Sequence, residues 1–259
     1  MYADTHCHLD FAVFRDRLPE ILGEMSARDL GFVVIPAVAL SSFAGIEKLC
    51  QQDERLFMGL GLHPYFIEQH ADEDLAGLES ALSHFLDKQE CRLVAVGEIG
   101  LDGSCPDLDK QVRLFRAQLA LAEKYRLPVI VHARKCNEQM FRCLREVQLV
   151  GGVIHAFSGS YELLMRYVRL GFKIGVGPVI TWPSAHKTRD AIARAPLDAL
   201  VLETDAPGMR VADMAEDEVG PCDVLRVFQV LLNLRTETEE LIQNSLWLES
   251  QRLFGLNIG

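Results

Sequence analysis

Short apolar runs recur along this chain at fairly regular intervals, and amphipathic stretches separate them. Residues 32–35 and 129–131 are almost continuously hydrophobic, which is typical of strands that are buried on both faces of a parallel sheet. The runs predict strands at residues 2–8, 32–38, 56–63, 93–100, 128–133, 152–157, 172–177 and 199–205.

The segments between these strands have the periodicity of helices. In residues 108–125, apolar side chains recur at alternating steps of four and three, so they fall on one face of a helix. Asp107 stands where a side chain can cap the first turn, and Ser160 has the same position before another helix. The pattern predicts helices at residues 19–28, 108–125, 160–170, 223–234 and 237–254, and a long loop at residues 207–221.

Strand and helix alternate about eight times, which is the pattern of a (β/α)8 barrel of the TIM type. Such a barrel takes roughly 250 residues, so this chain of 259 predicts one α/β domain over residues 1–259, with extra helices at its C-terminal end. A doubly wound open sheet is the rival fold. That fold gives no reason for metal-binding residue types to stand at the ends of most strands.

The charge of the chain limits the partners that it can take. A formal net charge of −11 argues against a protein that grips long duplex DNA through a broad basic face. The charge does not exclude a protein that takes a strand end into a pocket. The partners expected are therefore DNA ends or small phosphodiesters, and no feature of the sequence indicates an obligate protein partner.

The same composition predicts a cytoplasmic protein without a membrane span. No apolar run is long enough to cross a bilayer, and the first residues lack a basic region followed by an apolar core. The seven cysteines are an odd number and form no CxxC pair, so neither a disulfide framework nor a thiolate zinc site is expected.

Polar residues of metal-binding types stand near the ends of the predicted strands. His6 and His8 are two residues apart, so in extended chain they share a face and can point at one metal ion. Each such residue alone has an ordinary structural explanation, such as a hydrogen-bonded core histidine. In barrels of this kind the active site lies at the carboxyl ends of the strands. The residues found there are His6, His8, His63, Glu98, His132, His155 and Asp205.

Without His63, which has no assigned ligand role, six residues offer nitrogen or oxygen ligands. Six ligands exceed what one tetrahedral ion uses, but they suit two ions that share a carboxylate. Imidazole and carboxylate together fit two divalent metal ions, whether zinc, manganese or magnesium. Two such ions can support the hydrolysis of an ester near neutral pH.

At these residues the sequence resembles the TatD family of metal-dependent deoxyribonucleases, which are amidohydrolase-type barrels. The matching motifs are DTHCHLD at residues 4–10, GLHP at 61–64, GEIGLD at 97–102, HAR at 132–134, HAFSG at 155–159 and ETDAP at 203–207.

The resemblance implies a set of roles. His6, His8 and Asp205 would hold one ion, His132 and His155 would hold the other, and Glu98 would bridge the two. Asp205 would also serve as the general base. The metal ligands implied are His6, His8, Glu98, His132, His155 and Asp205, and the catalytic residues are Asp205 and Glu98. The activity implied is phosphodiester hydrolysis of DNA, commonly from the 3′ end.

Three further residues have roles near the predicted site. His63 could contact a substrate phosphate or the leaving group, or it could be a structural histidine before Pro64. Arg134 could bind phosphate in a forked geometry or pair with a neighbouring carboxylate. Glu203 lies one layer below Asp205 and is proposed to fix a ligand histidine.

Other functions remain open at this stage. The nearest alternative is a metal-dependent amidohydrolase or esterase that acts on an acyl substrate such as an aminoacyl ester. The third class is a binding protein that uses metal for stability without catalysis.

Overall fold

Eight strands follow one another in chain order across a single sheet in the computed structural model, which describes residues 1–88, 92–215 and 218–258. The strand pairs whose register is defined all run parallel. The strands are β1 (Tyr2–Asp4), β2 (Leu30–Pro36), β3 (Leu56–Leu60), β4 (Leu93–Asp102), β5 (Val129–Arg134), β6 (Gly152–Ile154), β7 (Phe172–Val176) and β8 (Leu200–Leu202).

The first and last strands of this order are themselves neighbours. Just beyond β1 and β8, Cys7 and Ala206 form a parallel bridge, and the Thr5 N–H donates to the Leu202 carbonyl over 3.0 Å. An open doubly wound sheet would leave both edges unpaired. The fold is therefore the predicted (β/α)8 barrel of the TIM type.

Helices follow the strands as predicted. The helix expected at residues 108–125 has those bounds, and the Asp107 side chain accepts the Lys110 N–H at its start. Ser160 caps its own helix in the same way, by accepting the Leu163 N–H. The helices are α1 (Leu18–Ala27), α2 (Phe43–Cys50), α3 (Asp74–Leu86), α4 (Leu108–Tyr125), α5 (Asn137–Leu144), α6 (Tyr161–Val168), α7 (His186–Arg194), α8 (Val224–Leu234) and α9 (Glu239–Phe254).

Several strands end earlier than their hydrophobic runs. β1 stops at Asp4, so the prediction that His6 and His8 lie within it is wrong. The backbone beyond Asp4 bonds to more than one neighbour, since Cys7 donates to the Val34 carbonyl and Thr5 to Leu202. Cys7, between the two histidines, still pairs with Ala206 as an isolated bridge. The chain is therefore extended at Cys7, and the side chains of His6 and His8 still share one side.

The predicted loop at residues 207–221 contains neither α-helix nor β-strand among its described residues. Glu216 and Asp217, inside that loop, and Cys91, one of the seven cysteines, lie outside the described residues. In the described part of the chain, no helix combines the length and apolar character needed to span a membrane.

The chain divides into two compact units, Met1–Ile35 with Ile154–Gly259, and Pro36–Val153. The first unit has Phe14, Phe32, Tyr167 and Phe228 among its largest fully buried side chains. In the second unit, the corresponding side chains are Ile46, Leu56, Met58, Phe115 and Phe141. A single domain over residues 1–259 stays a prediction.

Gly100 in β4 and Gly23 in α1 give a matched pair of tests of this fold. Gly100 has a φ of +151°, and a Cβ there would lie 2.0 Å from the His132 carbonyl oxygen. Gly23 has open surroundings: apart from its chain neighbours and its own helix backbone, no atom of the described residues lies within 4 Å of the position that a Cβ would take. We expect Gly100→Ala to lower the free energy of unfolding by more than about 1 kcal/mol, and Gly23→Ala to raise it by about 0.4–1 kcal/mol.

Chemical denaturation of the two variants beside the wild type measures both effects. Equal stabilities for Gly100→Ala and the wild type would contradict the close backbone approach between β4 and β5.

Candidate active site

Three ligand atoms of the first unit form a compact triangle. His6 Nε2 lies 3.3 Å from His8 Nε2, and Asp205 Oδ1 lies 3.4 Å from the former and 3.6 Å from the latter. Ligand atoms of a tetrahedral ion with bonds of about 2.0–2.1 Å are about 3.3–3.4 Å apart. The two buried histidines and the partly exposed aspartate therefore fit one face of a metal coordination shell.

A buried carboxylate fixes the chain around this triangle. Asp4 Oδ1 accepts the His6 N–H over 3.2 Å and the Thr204 N–H over 2.9 Å, and Oδ2 accepts the Thr204 hydroxyl over 2.6 Å. Burial raises the pKa of Asp4 well above its usual range, although the hydrogen bonds from Thr204 and His6 oppose that shift. Asp4 thus ties the residues after β1 to those after β8.

His155 and Glu203 adjoin the same triangle. The His155 ring stacks on the His6 ring with centroids 4.0 Å apart and planes 12° apart. Glu203 Oε1 lies 3.9 Å from His155 Nδ1 and accepts the Ala156 N–H. His6, His155 and Glu203 form a second group whose ligand atoms are close enough to hold an ion. The role of Glu203 in fixing a ligand histidine stays a prediction.

The second unit has its own group of ligand atoms around Glu98. His63 Nε2 lies 2.8 Å from Glu98 Oε1, and His132 Nδ1 lies 3.2 Å from the same oxygen. His63 Nδ1 accepts the Tyr65 N–H over 3.0 Å. A neutral imidazole has one donor nitrogen and one acceptor nitrogen, so the hydrogen of His63 is on Nε2 and is donated to Glu98.

Asp102 fixes the orientation of His132 in this group. His132 Nε2 lies 3.0 Å from Asp102 Oδ2, and Asp102 Oδ1 accepts the Ser104 N–H over 2.7 Å. Burial acts to raise the pKa of Asp102, but the hydrogen bonds from His132 and Ser104 outweigh it and lower the pKa to about 2. An ionised Asp102 accepts the Nε2 hydrogen of His132, so Nδ1 of that ring faces Glu98. A cation beside His132 Nδ1 and Glu98 Oε1 would stabilise both of these electron-rich atoms, which fits a metal site.

Two glutamines of α4 hold the chain after β3 and at the end of β4. Gln118 accepts the Leu62 N–H over 2.7 Å and donates to the Leu62 carbonyl over 3.2 Å. Gln111 does the same for the backbone of Asp102, over 2.9 Å and 3.2 Å. Both side chains are buried, so the amide groups replace strand partners where the ladder ends. These glutamines help to position His63 and Asp102.

The structure brings together most of the residues that the sequence selects. His6, His8, Asp205 and His155 meet in the first unit, and His63, Glu98 and His132 meet in the second. The ion shared by His132 and His155, and the bridging role of Glu98, stay predictions. Sequence reasoning missed the positioning roles of Asp4, Asp102, Gln111 and Gln118. For the two aspartates the available signal was their place in the quoted motifs, and buried glutamines give no comparable signal.

A family model described as TatD related DNase matches residues 3–255. This chain belongs to that family. It is also 40% identical over 258 residues to an Escherichia coli K12 protein named uncharacterized metal-dependent hydrolase YjjV, covering 98% of both chains. It is 39% identical over 263 residues to a Haemophilus influenzae protein named uncharacterized metal-dependent hydrolase, covering 98% of this chain and 99% of the relative.

A crystal structure of a TatD homologue supports the fold. The YjjV structure from Escherichia coli K12 superposes with a TM-score of 0.93 at 39% identity, covering 99% of this chain and 98% of that one. Membership in the TatD family and this likeness confirm both the resemblance and the barrel predicted from the motifs.

Asp102→Asn tests whether the carboxylate orients a metal-binding histidine. We expect the variant to bind a divalent ion about 10–100-fold more weakly, because asparagine does not hold the His132 ring through an anionic acceptor. Titration of the metal-free protein with Zn²⁺ against a competing chelator measures the affinity. Asp53→Asn is the matched control, since Asp53 pairs with Arg55 over 2.7 Å in the same unit and touches no histidine in the described contacts. Equal losses in the two variants would contradict the role of Asp102.

Glu203→Gln tests the corresponding support in the first unit. We expect metal affinity to fall by about 10-fold or more, because the charge beside His155 is lost while the side-chain shape is kept. Metal content after dialysis, measured by mass spectrometry, reports the change. Glu249→Gln is a control, because Glu249 is also a buried glutamate but pairs with Lys173 and Arg252. Unchanged metal content in Glu203→Gln would refute the role of Glu203.

Proposed function

We propose that this metal-dependent hydrolase of the TatD family cleaves phosphodiester bonds at the ends of DNA strands. The observation that carries the proposal is the triangle of His6 Nε2, His8 Nε2 and Asp205 Oδ1, whose spacing suits one divalent ion. The description of the matching family as DNase-related supports a phosphodiester as the bond that is cleaved.

The proposed ligand sets are those that the resemblance to the TatD family implies. His6, His8 and Asp205 would hold one divalent ion, while His132 and His155 would hold the other and Glu98 would bridge them. Divalent ions at such positions lower the pKa of water and offset the negative charge that a phosphodiester gains as it is attacked.

The chain's own residues would direct the proton and the substrate. Asp205 is the proposed general base, because its carboxylate adjoins two imidazoles and yet keeps a 15% exposed side chain that water can reach. Glu98 is oriented by the Nε2 hydrogen of His63, which makes His63 a positioning residue in this proposal. Contact between His63 and substrate stays a prediction.

Arg134 is the proposed phosphate-binding residue. Its side chain is half exposed at the end of β5 and lies 3.9 Å from Asp102 Oδ2. A planar guanidinium can donate two parallel hydrogen bonds to phosphate oxygens. The net charge of −11 favours a few local contacts of this kind with a strand end over a long basic track.

Asp205→Asn tests the proposed function. Protein loaded with Mn²⁺ or Zn²⁺ is incubated with end-labelled single-stranded DNA and, in parallel, with N-acyl and ester substrates. We expect stepwise shortening of the DNA from one end, and a loss of about 10²–10⁴-fold in kcat for Asp205→Asn. Asp198→Asn is the matched control, because Asp198 is exposed and precedes β8 at its other end.

The parallel substrates separate the competing functions. Cleavage in the acyl panel without shortening of DNA would contradict the nuclease and support an amidohydrolase or esterase. Metal binding without cleavage of either class would instead support a binding protein.

A further inference from the structure

Tyr65 is 54% exposed although it borders a buried group of histidines. It lies in a short 3-10 segment, Pro64–Phe66, that follows β3. The Tyr65 N–H donates to His63 Nδ1 over 3.0 Å, and His70 Nε2 donates to the His63 carbonyl over 2.9 Å. These hydrogen bonds fix the backbone that carries the Tyr65 ring.

The Tyr65 ring lies directly against the Glu98 group. It is parallel to the His63 ring within 5°, with centroids 5.4 Å apart, and it meets the His132 ring edge-on with centroids 5.7 Å apart. One face of the tyrosine is therefore turned to His63. The residue is 54% exposed, and the face of an aromatic ring can stack on a ligand.

Arg134 is fixed beside this ring. Its Nη1 donates to the Tyr65 hydroxyl over 2.7 Å and lies 3.9 Å from Asp102 Oδ2. Both of these described contacts use Nη1, so Nη2 and Nε face no competing partner among them. An aromatic face and a guanidinium held next to each other have the chemistry that recognises a nucleobase and its phosphate.

The charge of the chain makes such a local contact important. Proteins that bind DNA mainly through phosphates rely on many cationic side chains, and this chain has a net charge of −11. Stacking of a base on an aromatic side chain needs no positive charge and accepts any base, because every base has a π-face.

We propose that Tyr65 stacks on the base of a terminal nucleotide bound beside the Glu98 group, while Arg134 binds the adjoining phosphate. The pair makes a nucleobase part of what the enzyme recognises, beyond the phosphodiester itself. The proposal rests on the proposed function, because it assigns substrate contacts to that same proposed reaction.

The test compares two single strands that differ at one nucleotide. One strand has a normal terminal nucleotide, and the other has an abasic terminal nucleotide with the same phosphodiester. For the wild type, removal of the base raises KM by about 5–100-fold and leaves kcat unchanged, because stacking binds substrate and transition state alike. Tyr65→Ala raises KM for the normal strand by a similar factor, and removal of the base then has no further effect.

Two more variants sharpen the comparison. Tyr65→Phe keeps the ring and loses the hydroxyl that meets Arg134, so it retains the difference between the two strands. Tyr125→Ala removes a partly exposed tyrosine at the end of α4 and behaves as the wild type. Thermal unfolding confirms that each variant is folded.

Two results would overturn the stacking role. The first is an equal effect of base removal in the wild type and in Tyr65→Ala. The second is a fall in kcat for Tyr65→Ala on both strands with unchanged KM, which would assign the tyrosine to the positioning of His63.

Binding to the metal-free protein separates this proposal from the proposed function. Fluorescence anisotropy of the same labelled strands in EDTA reports affinity without cleavage. Binding that weakens on loss of the base or of the Tyr65 ring supports stacking, even if the metal-loaded wild type cleaves no DNA. Binding that is indifferent to both changes overturns stacking, and absence of binding together with absence of cleavage overturns both proposals.

Discussion

Burial of carboxylates at the ends of the strands is the constraint on which this structure depends. Asp4, Glu98, Asp102 and Glu203 are each at most 2% exposed. Removal of an ionised carboxylate from water costs several kcal/mol unless hydrogen bonds or opposite charges compensate it. Each of the four adjoins a histidine ring or the backbone N–H of a histidine. The buried carboxylates therefore position the imidazoles, and the same contacts compensate the cost of burying the carboxylates. The candidate metal ligands follow from this arrangement.

The backbone around these carboxylates is as closely fixed as the side chains. Where parallel strands end, the last backbone N–H and carbonyl groups have no partner in a neighbouring strand and must find one elsewhere. Gln111 and Gln118 supply both kinds of partner from one helix, and Asp4 ties two segments that are 200 residues apart in sequence. Polar residues can therefore be buried at the ends of the strands, where the regular pairing between strands stops. A rigid support of this kind is what a metal centre or a catalytic base requires.

Much of the fold was predictable, because each strand is an apolar run and each run is long enough to identify. Strand ends were less predictable. The run at residues 2–8 continues through Cys7, whereas β1 stops at Asp4, where the backbone changes partners. The hydrophobic pattern indicates which residues are buried, but it does not indicate the direction in which a backbone carbonyl points.

The candidate site divides in the same way. Histidines and carboxylates near strand ends were predictable, because few residue types bind metal and the barrel fold brings strand ends to one edge. The hydrogen bonds by which Asp102 and the two glutamines support the site were not predictable. They depend on which ring nitrogen or amide atom faces each neighbour, and the sequence does not indicate that. The exposure of Tyr65 was not predictable either, because a sequence pattern predicts that a large aromatic residue at this position is buried.

The presence of a cation within the His6, His8 and Asp205 triangle is the most direct test of this structure as a metal-dependent hydrolase. Anomalous diffraction from a crystal soaked in Zn²⁺ measures it, with data collected on both sides of the zinc absorption edge. The expected result is a peak about 2.0–2.2 Å from both Nε2 atoms and from a carboxylate oxygen of Asp205. A map with no peak there, in a crystal where the three side chains keep their positions, would contradict it.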